Sequence, residues 1–212
     1  MPQVLPDHIT TVLFDMDGVL IDSSVAVEMA YGEWARENGY RRDEVLEIVH
    51  GRRTIEVVQH FGFDEDPEGE ADRLERLIAE KATTEHAIRP TCDLFRSLDS
   101  ARLAVATSAR RATALSNLRV LGLERPTVLV TGQDVRLGKP APDPYLLAAG
   151  KLGVHPGECV VIEDAPAGIQ AGLAAGAYVI ALTTTHKADE LKAADQVTEP
   201  ERLRDIFRQL TA

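Results

Sequence analysis

Asp15 and Asp17 stand two residues apart at the end of an apolar, β-branched run, and Gly18 follows them. The run, 9–14, has the composition of a buried strand. Side chains alternate along a strand with period two, so both carboxylates can leave its carboxyl end on the same side. Two acids held that close repel, unless a cation sits between them or one keeps a proton. Either solution is chemically useful: a cation site with an oxygen nucleophile, or a proton donor beside one. Asp and Gly are also ordinary turn formers, so the tetrapeptide alone reads equally as a strand-to-loop turn. A calcium loop does not fit, because its pattern wants an oxygen ligand at Val19 and a Glu at Ala26.

Three later segments carry polar residues in a fixed order. Thr107-Ser108 ends an apolar run; Ser108 is suited to cap the next helix, and a helix N-terminus also offers amides to an anion. Lys139 lies between Gly138 and the prolines at 140, 142 and 144, which restrict the backbone around one cation that can neutralise a phosphate. Glu163-Asp164 closes another apolar run. Adjacent acids of this kind suit a hard cation with oxygen ligands, Mg²⁺ first, or simply a favourable helix N-terminus.

Elements must bring these groups together. Helices are expected over 23–38, where Ser23 or Ser24 is placed to cap, and over 42–50, 54–60 and 68–86, with no strand candidate between 22 and 87. From 88 onward strands and helices alternate: strands at 102–107, 127–130, 159–162, 178–182 and an edge at 196–197; helices at 109–121, 142–152, 165–175, 189–193 and 202–210. Continuous apolar strands alternating with helices indicate a parallel sheet covered on both faces. The expected fold is therefore α/β: a doubly wound parallel sheet from 1–21 and 88–212, with an all-helical cap inserted at 22–87. Ligands of such sheets bind beyond the carboxyl ends of the strands, where all the polar pairs above fall.

Composition bounds the partners. A 212-residue chain with 44% hydrophobic and 27% charged residues can bury an ample core. The net charge of −11 argues against nucleic acid or an anionic membrane as partner, so an anionic substrate needs a local positive site. Cys92 and Cys159 are expected to be unpaired core thiols. No charged-then-apolar leader opens the chain and no apolar run nears about 18 residues, from which a cytoplasmic, monomeric enzyme is expected.

Asp-x-Asp-Gly, Thr-Ser, a loop Lys and Glu-Asp, in that order, resemble the motif series of the haloacid dehalogenase-like superfamily across essentially the whole chain. A response-regulator receiver has a similar set but neither the second Asp nor a cap. The resemblance implies that Asp15 is the nucleophile forming an aspartyl-phosphate, and that Asp17 is the general acid and base. It implies Mg²⁺ held by Asp15, the Asp17 backbone carbonyl and Asp164, with Glu163 supporting, and phosphoryl oxygens bound by Thr107, Ser108 and Lys139. Asp17 marks the phosphate branch of the superfamily.

In the cap, His50, Gly51, Arg52 and Arg53 stand out as a glycine turn with two arginines that can reach sugar or phosphate oxygens. The runs 22–28, 49–56, 104–108 and 138–145 resemble the 2-deoxyglucose-6-phosphatase and glycerol-3-phosphatase group. The expected function is hydrolysis of small sugar or polyol phosphates. A β-phosphoglucomutase-like transferase is the alternative. That group carries a His ten residues after the acid/base Asp, and Val27 stands there. A catalytically silent interaction module would predict a broken acid set, and this set is whole.

Overall fold

The computed structural model describes residues 4–49, 52–63, 65–123, 126–208 and 210. Six short strands form one parallel sheet in the order β3-β2-β1-β4-β5-β6: β1 Thr11–Phe14, β2 Leu103–Ala106, β3 Val128–Val130, β4 Cys159–Glu163, β5 Tyr178–Leu182 and β6 Gln196–Thr198. This is a doubly wound order, in which the winding direction reverses beside β1 and opens a crevice at the strands' carboxyl ends. Period-two alternation explains the layers. Val12 and Phe14 join a cluster with Leu94, Phe95, Leu118 and Phe207 on one face. Leu13, between them, joins Tyr145, Ala148, Ile169 and Ala171 on the other.

Four helices follow β1 as one block: α1 Ser24–Asn38, α2 Arg42–Val49, α3 Thr54–His60 and α4 Pro67–Lys81. They enclose their own apolar cluster around Trp34, which includes Ala30, Val45, Val57, Leu74 and Ile78 and no sheet residue. Trp34 is fully buried among Tyr31, Tyr40, Phe61 and Phe63, and its indole N–H donates to Glu70 Oε1 at 2.6 Å. The two chain crossings between this block and the sheet run side by side. Asp22 N–H donates to the His86 carbonyl (2.7 Å) and Ile88 N–H to the Leu20 carbonyl (3.0 Å), and Ile21 bridges Ala87.

The remaining helices are α5 Arg89–Ser97, α6 Arg111–Val120, α7 Asp143–Leu152, α8 Pro166–Ala175 and α9 Leu203–Ile206. Several depart from the sequence expectation. The pattern left α5 unassigned, yet Pro90 sits in its first turn, where a missing N–H costs nothing, and Cys92, Leu94 and Phe95 are buried. No helix forms over 189–193. The segment is a turn in which Lys187 N–H donates to the Glu190 carboxylate (2.9 Å), with Leu191 as its buried anchor. Helix α4 stops at Lys81 before a separate short turn at Thr84–His86, and α9 is shorter than 202–210. Ser23 occupies the N-cap of α1 without a side-chain bond; Asp22 instead accepts from the Ser24 N–H (3.1 Å). Cys92 and Cys159 are buried free thiols. Among the described residues no helix is long and apolar enough to cross a membrane.

Trp34 is the chain's single tryptophan and fills the centre of the helical cluster. Trp34→Ala is expected to lower stability by about 3–5 kcal/mol, the usual cost of removing a large buried aromatic. Urea unfolding followed by circular dichroism measures it.

Candidate active site

Strand register sets the first contacts. Phe14 pairs with Ile162, and the Asp15 N–H extends that ladder to the Ile162 carbonyl (3.0 Å), so Asp15 and Glu163 emerge side by side. Lys139, from the loop before α7, places its ammonium between them, 2.6 Å from Asp15 Oδ1 and 2.7 Å from Glu163 Oε1. The Tyr145 hydroxyl, in the first turns of α7, also donates to Glu163 Oε1 (2.7 Å), and Lys139 lies 5.1 Å from the Tyr145 ring centre. Glu163 Oε2 accepts the N–H groups of Asp164 (2.9 Å) and Ala165 (3.3 Å). Both Glu163 oxygens are thus occupied by donors.

After Asp17 the chain reverses through Gly18 at φ 74°, a backbone state that glycine adopts without penalty. A side chain there would also overlap the Asp164 carboxylate. The loop after β5 closes the far side: Thr184 Oγ1 donates to the Gly18 carbonyl (2.5 Å), and Thr185 Oγ1 donates to the Asp164 carboxylate.

Burial and like charge dominate the electrostatics. Burial raises Asp15 to about 7, with Lys139 opposing and Glu163 and Asp17 adding to the rise. Asp164 is raised well above the carboxylate range by burial, Glu163 and Asp15. Burial likewise raises Asp17, partly offset by hydrogen bonds from the Ser23 and Thr107 hydroxyls. Burial alone would push Lys139 down, but Asp15 and Glu163 hold its ammonium well above its ordinary value. Burial would lift Glu163, yet Lys139's charge and hydrogen bond win and keep it low. Oxygens of Asp15, Glu163 and Asp164 lie within 4.8 Å of one another, all buried. Carboxylates that raise one another's pKa at this spacing are the donor set a hard divalent cation stabilises, so the residues fit Mg²⁺.

Thr107 ends β2 pointing at Asp17, and its Oγ1 also accepts the Ala109 N–H (3.0 Å). That turn delays α6, which begins at Arg111, so Ser108 does not cap it as the sequence suggested. Ser108 is exposed and faces a cavity of about 340 Å³ between the sheet and the helical block. Arg53 lines the same cavity, lies over Gly138 beside Lys139, and pairs with Glu56 (2.6 Å). Arg52 is exposed and does not line it. His50 and Gly51 lie outside the described residues. Sequence reasoning missed Tyr145, Thr185 and Glu75. Tyr145 sat unremarked in the Lys139 segment, whereas Thr185 carried no signal. Glu75 was readable as an acid on the apolar face of α4, one position from Leu74.

With this geometry described, comparison with known proteins decides the family. A family model described as haloacid dehalogenase-like hydrolase matches residues 9–176. The chain belongs to the haloacid dehalogenase-like hydrolases. Hexitol phosphatase A of Escherichia coli (strain K12) is 42% identical over 190 residues, covering 87% of this chain and 88% of that protein. Glycerol-1-phosphate phosphohydrolase 1 of Saccharomyces cerevisiae is 36% identical, covering 87% and 78%. A crystal structure of a family hydrolase from Deinococcus radiodurans R1 with bound phosphate and sodium superposes at TM-score 0.71, with 30% identity and 97% of each chain covered.

Two outcomes follow from the hydrolase site's geometry. Because Asp15 and Asp164 are shifted upward, the cation-free fold favours their protonated forms. The stability they contribute is full below the ordinary carboxylate pKa of about 4 and is lost as pH rises through their raised pKa values, about 7 for Asp15. A Mg²⁺ ion held here would prefer the ionised acids, so saturating Mg²⁺ is expected to raise the melting temperature about 5 °C more at pH 8 than at pH 5. Differential scanning calorimetry reads this directly. Separately, a Cβ at Gly168 in α8 would overlap the Glu163 carboxylate. Alanine would gain at most about 1 kcal/mol of helix propensity, whereas overpacking costs about 1–3 kcal/mol. Gly168→Ala is therefore expected to be net destabilised and at least about tenfold slower, as Glu163 moves and Lys139 loses its place. Parallel melts and phosphate-release assays check it.

Proposed function

We propose that this protein is a Mg²⁺-dependent phosphatase of small sugar or polyol phosphates, working through an aspartyl-phosphate on Asp15. The observation that carries the reading is Lys139 seated between Asp15 and Glu163, with Asp164 and Asp17 beside them. An ionised carboxylate needs no activating base to act as a nucleophile. One Asp15 oxygen attacks phosphorus as the ester P–O bond breaks. Asp17, whose raised pKa favours the protonated form, gives its proton to the departing alkoxide oxygen. Asp17 then takes a proton from the water that attacks the acyl phosphate, which releases phosphate and restores Asp15.

Lys139, Thr107 and Ser108 hold the equatorial phosphoryl oxygens; positioning and charge stabilisation supply most of the rate in such transfers. Glu163 keeps Lys139 in place and would support a bound Mg²⁺ without holding it directly. Asp15, the Asp17 carbonyl and Asp164 would hold Mg²⁺, which when bound neutralises carboxylate and phosphoryl charge. Residues 22–87 act as a cap over the sheet domain of 1–21 and 88–212, hinged at the paired crossings beside Ile21 and Ala87. Closure excludes bulk water until the acyl phosphate forms. Arg53, over Gly138 beside Lys139, brings a cation from the cap to the phosphoryl end of the site. A monomer in the cytoplasm, with neither nucleic acid nor membrane as partner, is the setting we assign.

The test is phosphate release from hexitol, hexose and glycerol phosphates with Mg²⁺ and then with EDTA. Release that EDTA abolishes is expected, and Asp15→Asn should lose about four orders of magnitude in turnover while keeping its melting temperature within a few degrees. Conversion of β-glucose 1-phosphate to the 6-phosphate without release would make the protein a transferase. Turnover by Asp15→Asn near the wild-type rate would remove the covalent step.

A further inference from the structure

The mechanism above leaves one buried acid without a task. Glu75 lies on the apolar face of α4, with Ala71, Leu74 and Ile78, and is only 6% exposed. A carboxylate is seldom kept in such a position unless its oxygens have partners. Its Oε1 accepts the Thr54 hydroxyl at 2.5 Å, and its Oε2 is reached by the Arg110 N–H at the longer distance of 3.5 Å. The Thr113 hydroxyl also bonds the carboxylate, and a carboxylate offers about four lone-pair positions, so these three donors still leave one position for a further donor. Glu75 also lines the cavity of about 340 Å³, together with Thr54, Arg53 and Ser108; burial and the charge of Asp17 raise its pKa, while the Thr113 and Thr54 hydroxyls and the Arg110 N–H favour its charged form.

The cationic side chains on this wall are already matched. Arg53 pairs with Glu56, and Arg110 pairs with Glu68 (2.7 Å) and Asp72 (2.5 Å). Away from the phosphoryl end, the wall therefore presents acceptor oxygens to whatever the ester carries. Neutral hydroxyls donate to such a wall. A second carboxylate on the substrate would meet like charge in a site of low polarity, where repulsion is strong.

We propose that Glu75 is a specificity residue that accepts hydrogen bonds from hydroxyls of a neutral polyol or sugar body and excludes phosphate esters carrying a carboxylate. The proposal rests on the phosphatase reading of the neighbouring site. Thr54 orients the carboxylate, and Tyr31, which interacts with Thr54, backs it from α1.

The experiment measures kcat/KM with Mg²⁺ for sorbitol 6-phosphate, glycerol 1-phosphate and 2-phosphoglycolate, in wild type, Glu75→Gln and Thr54→Val. Wild type should prefer the two polyol phosphates. Glu75→Gln removes the charge at nearly constant shape and should cut the polyol-to-phosphoglycolate ratio by at least about tenfold, with the polyol loss mainly in KM. Thr54→Val should move the ratio in the same direction by less, so the test survives if Glu75→Gln folds poorly. An equal fall on all three esters, or an unchanged ratio in both variants, would overturn the assignment and leave a purely structural acid. Wild type inert towards every ester would sink the phosphatase reading and this proposal together, whereas activity with an unmoved ratio sinks only the role of Glu75.

Discussion

Everything at this site depends on one ammonium held among carboxylates. Lys139 reaches Asp15 and Glu163 at hydrogen-bond distance, yet Asp17 and Asp164 crowd the same end of the sheet. One positive charge cannot neutralise four acids, so the cluster is electrostatically incomplete as the chain alone builds it. The two ways out, protonation and a divalent cation, are separable by position. Asp17 sits by the Thr107 and Ser23 hydroxyls, where a proton can stay, while Asp15 and Asp164 share the space a cation suits. The proposed acid and nucleophile would therefore differ by environment and not by residue type.

The scaffold exists to hold that imbalance rigid. Strand pairing fixes Asp15 beside Glu163, and Glu163 is pinned from four directions by Lys139, Tyr145 and two backbone amides. Gly18 and Gly168 leave room for the carboxylates of Asp164 and Glu163, and a methyl group at either would intrude on the charged cluster. Such close approach is affordable only where no side chain is present. Rigidity matters because phosphoryl transfer gains most of its rate from placement before the reaction begins.

Much of this could be read from the chain. Apolar runs ending in acids located the core site, because a parallel sheet must send its strand ends to one edge. What stayed hidden had physical reasons. α5 was left unassigned, although its Pro90 sits in the first turn, which tolerates a proline. Ser108 looked like a cap, but Thr107 takes the local amide first and shifts the start of α6 to Arg111. Thr185 comes from a loop with no periodicity, and only the tertiary fold brings it to Asp164. Arg52 and Arg53 were indistinguishable in sequence, and only the fold shows that Arg53 lies over Gly138 while Arg52 is exposed.

The helical block answers a problem that the core creates. A cluster of acids with a bound cation would attack any phosphate ester small enough to approach, so selectivity must come from elsewhere. The block meets the sheet through chemistry of a particular kind: Arg110 at the mouth of α6 is clasped by Glu68 and Asp72 of α4, and its backbone N–H faces Glu75. Ion pairs of this sort, exposed on the acidic side, hold weakly and exchange with solvent. Such pairs can break and re-form, as the proposed cap closure would require for substrate entry and product exit. Because Glu75 shares its helix with these pairs, the proposed closure over the phosphate would also bring it to the body of the ester, so recognition and closure would be one movement.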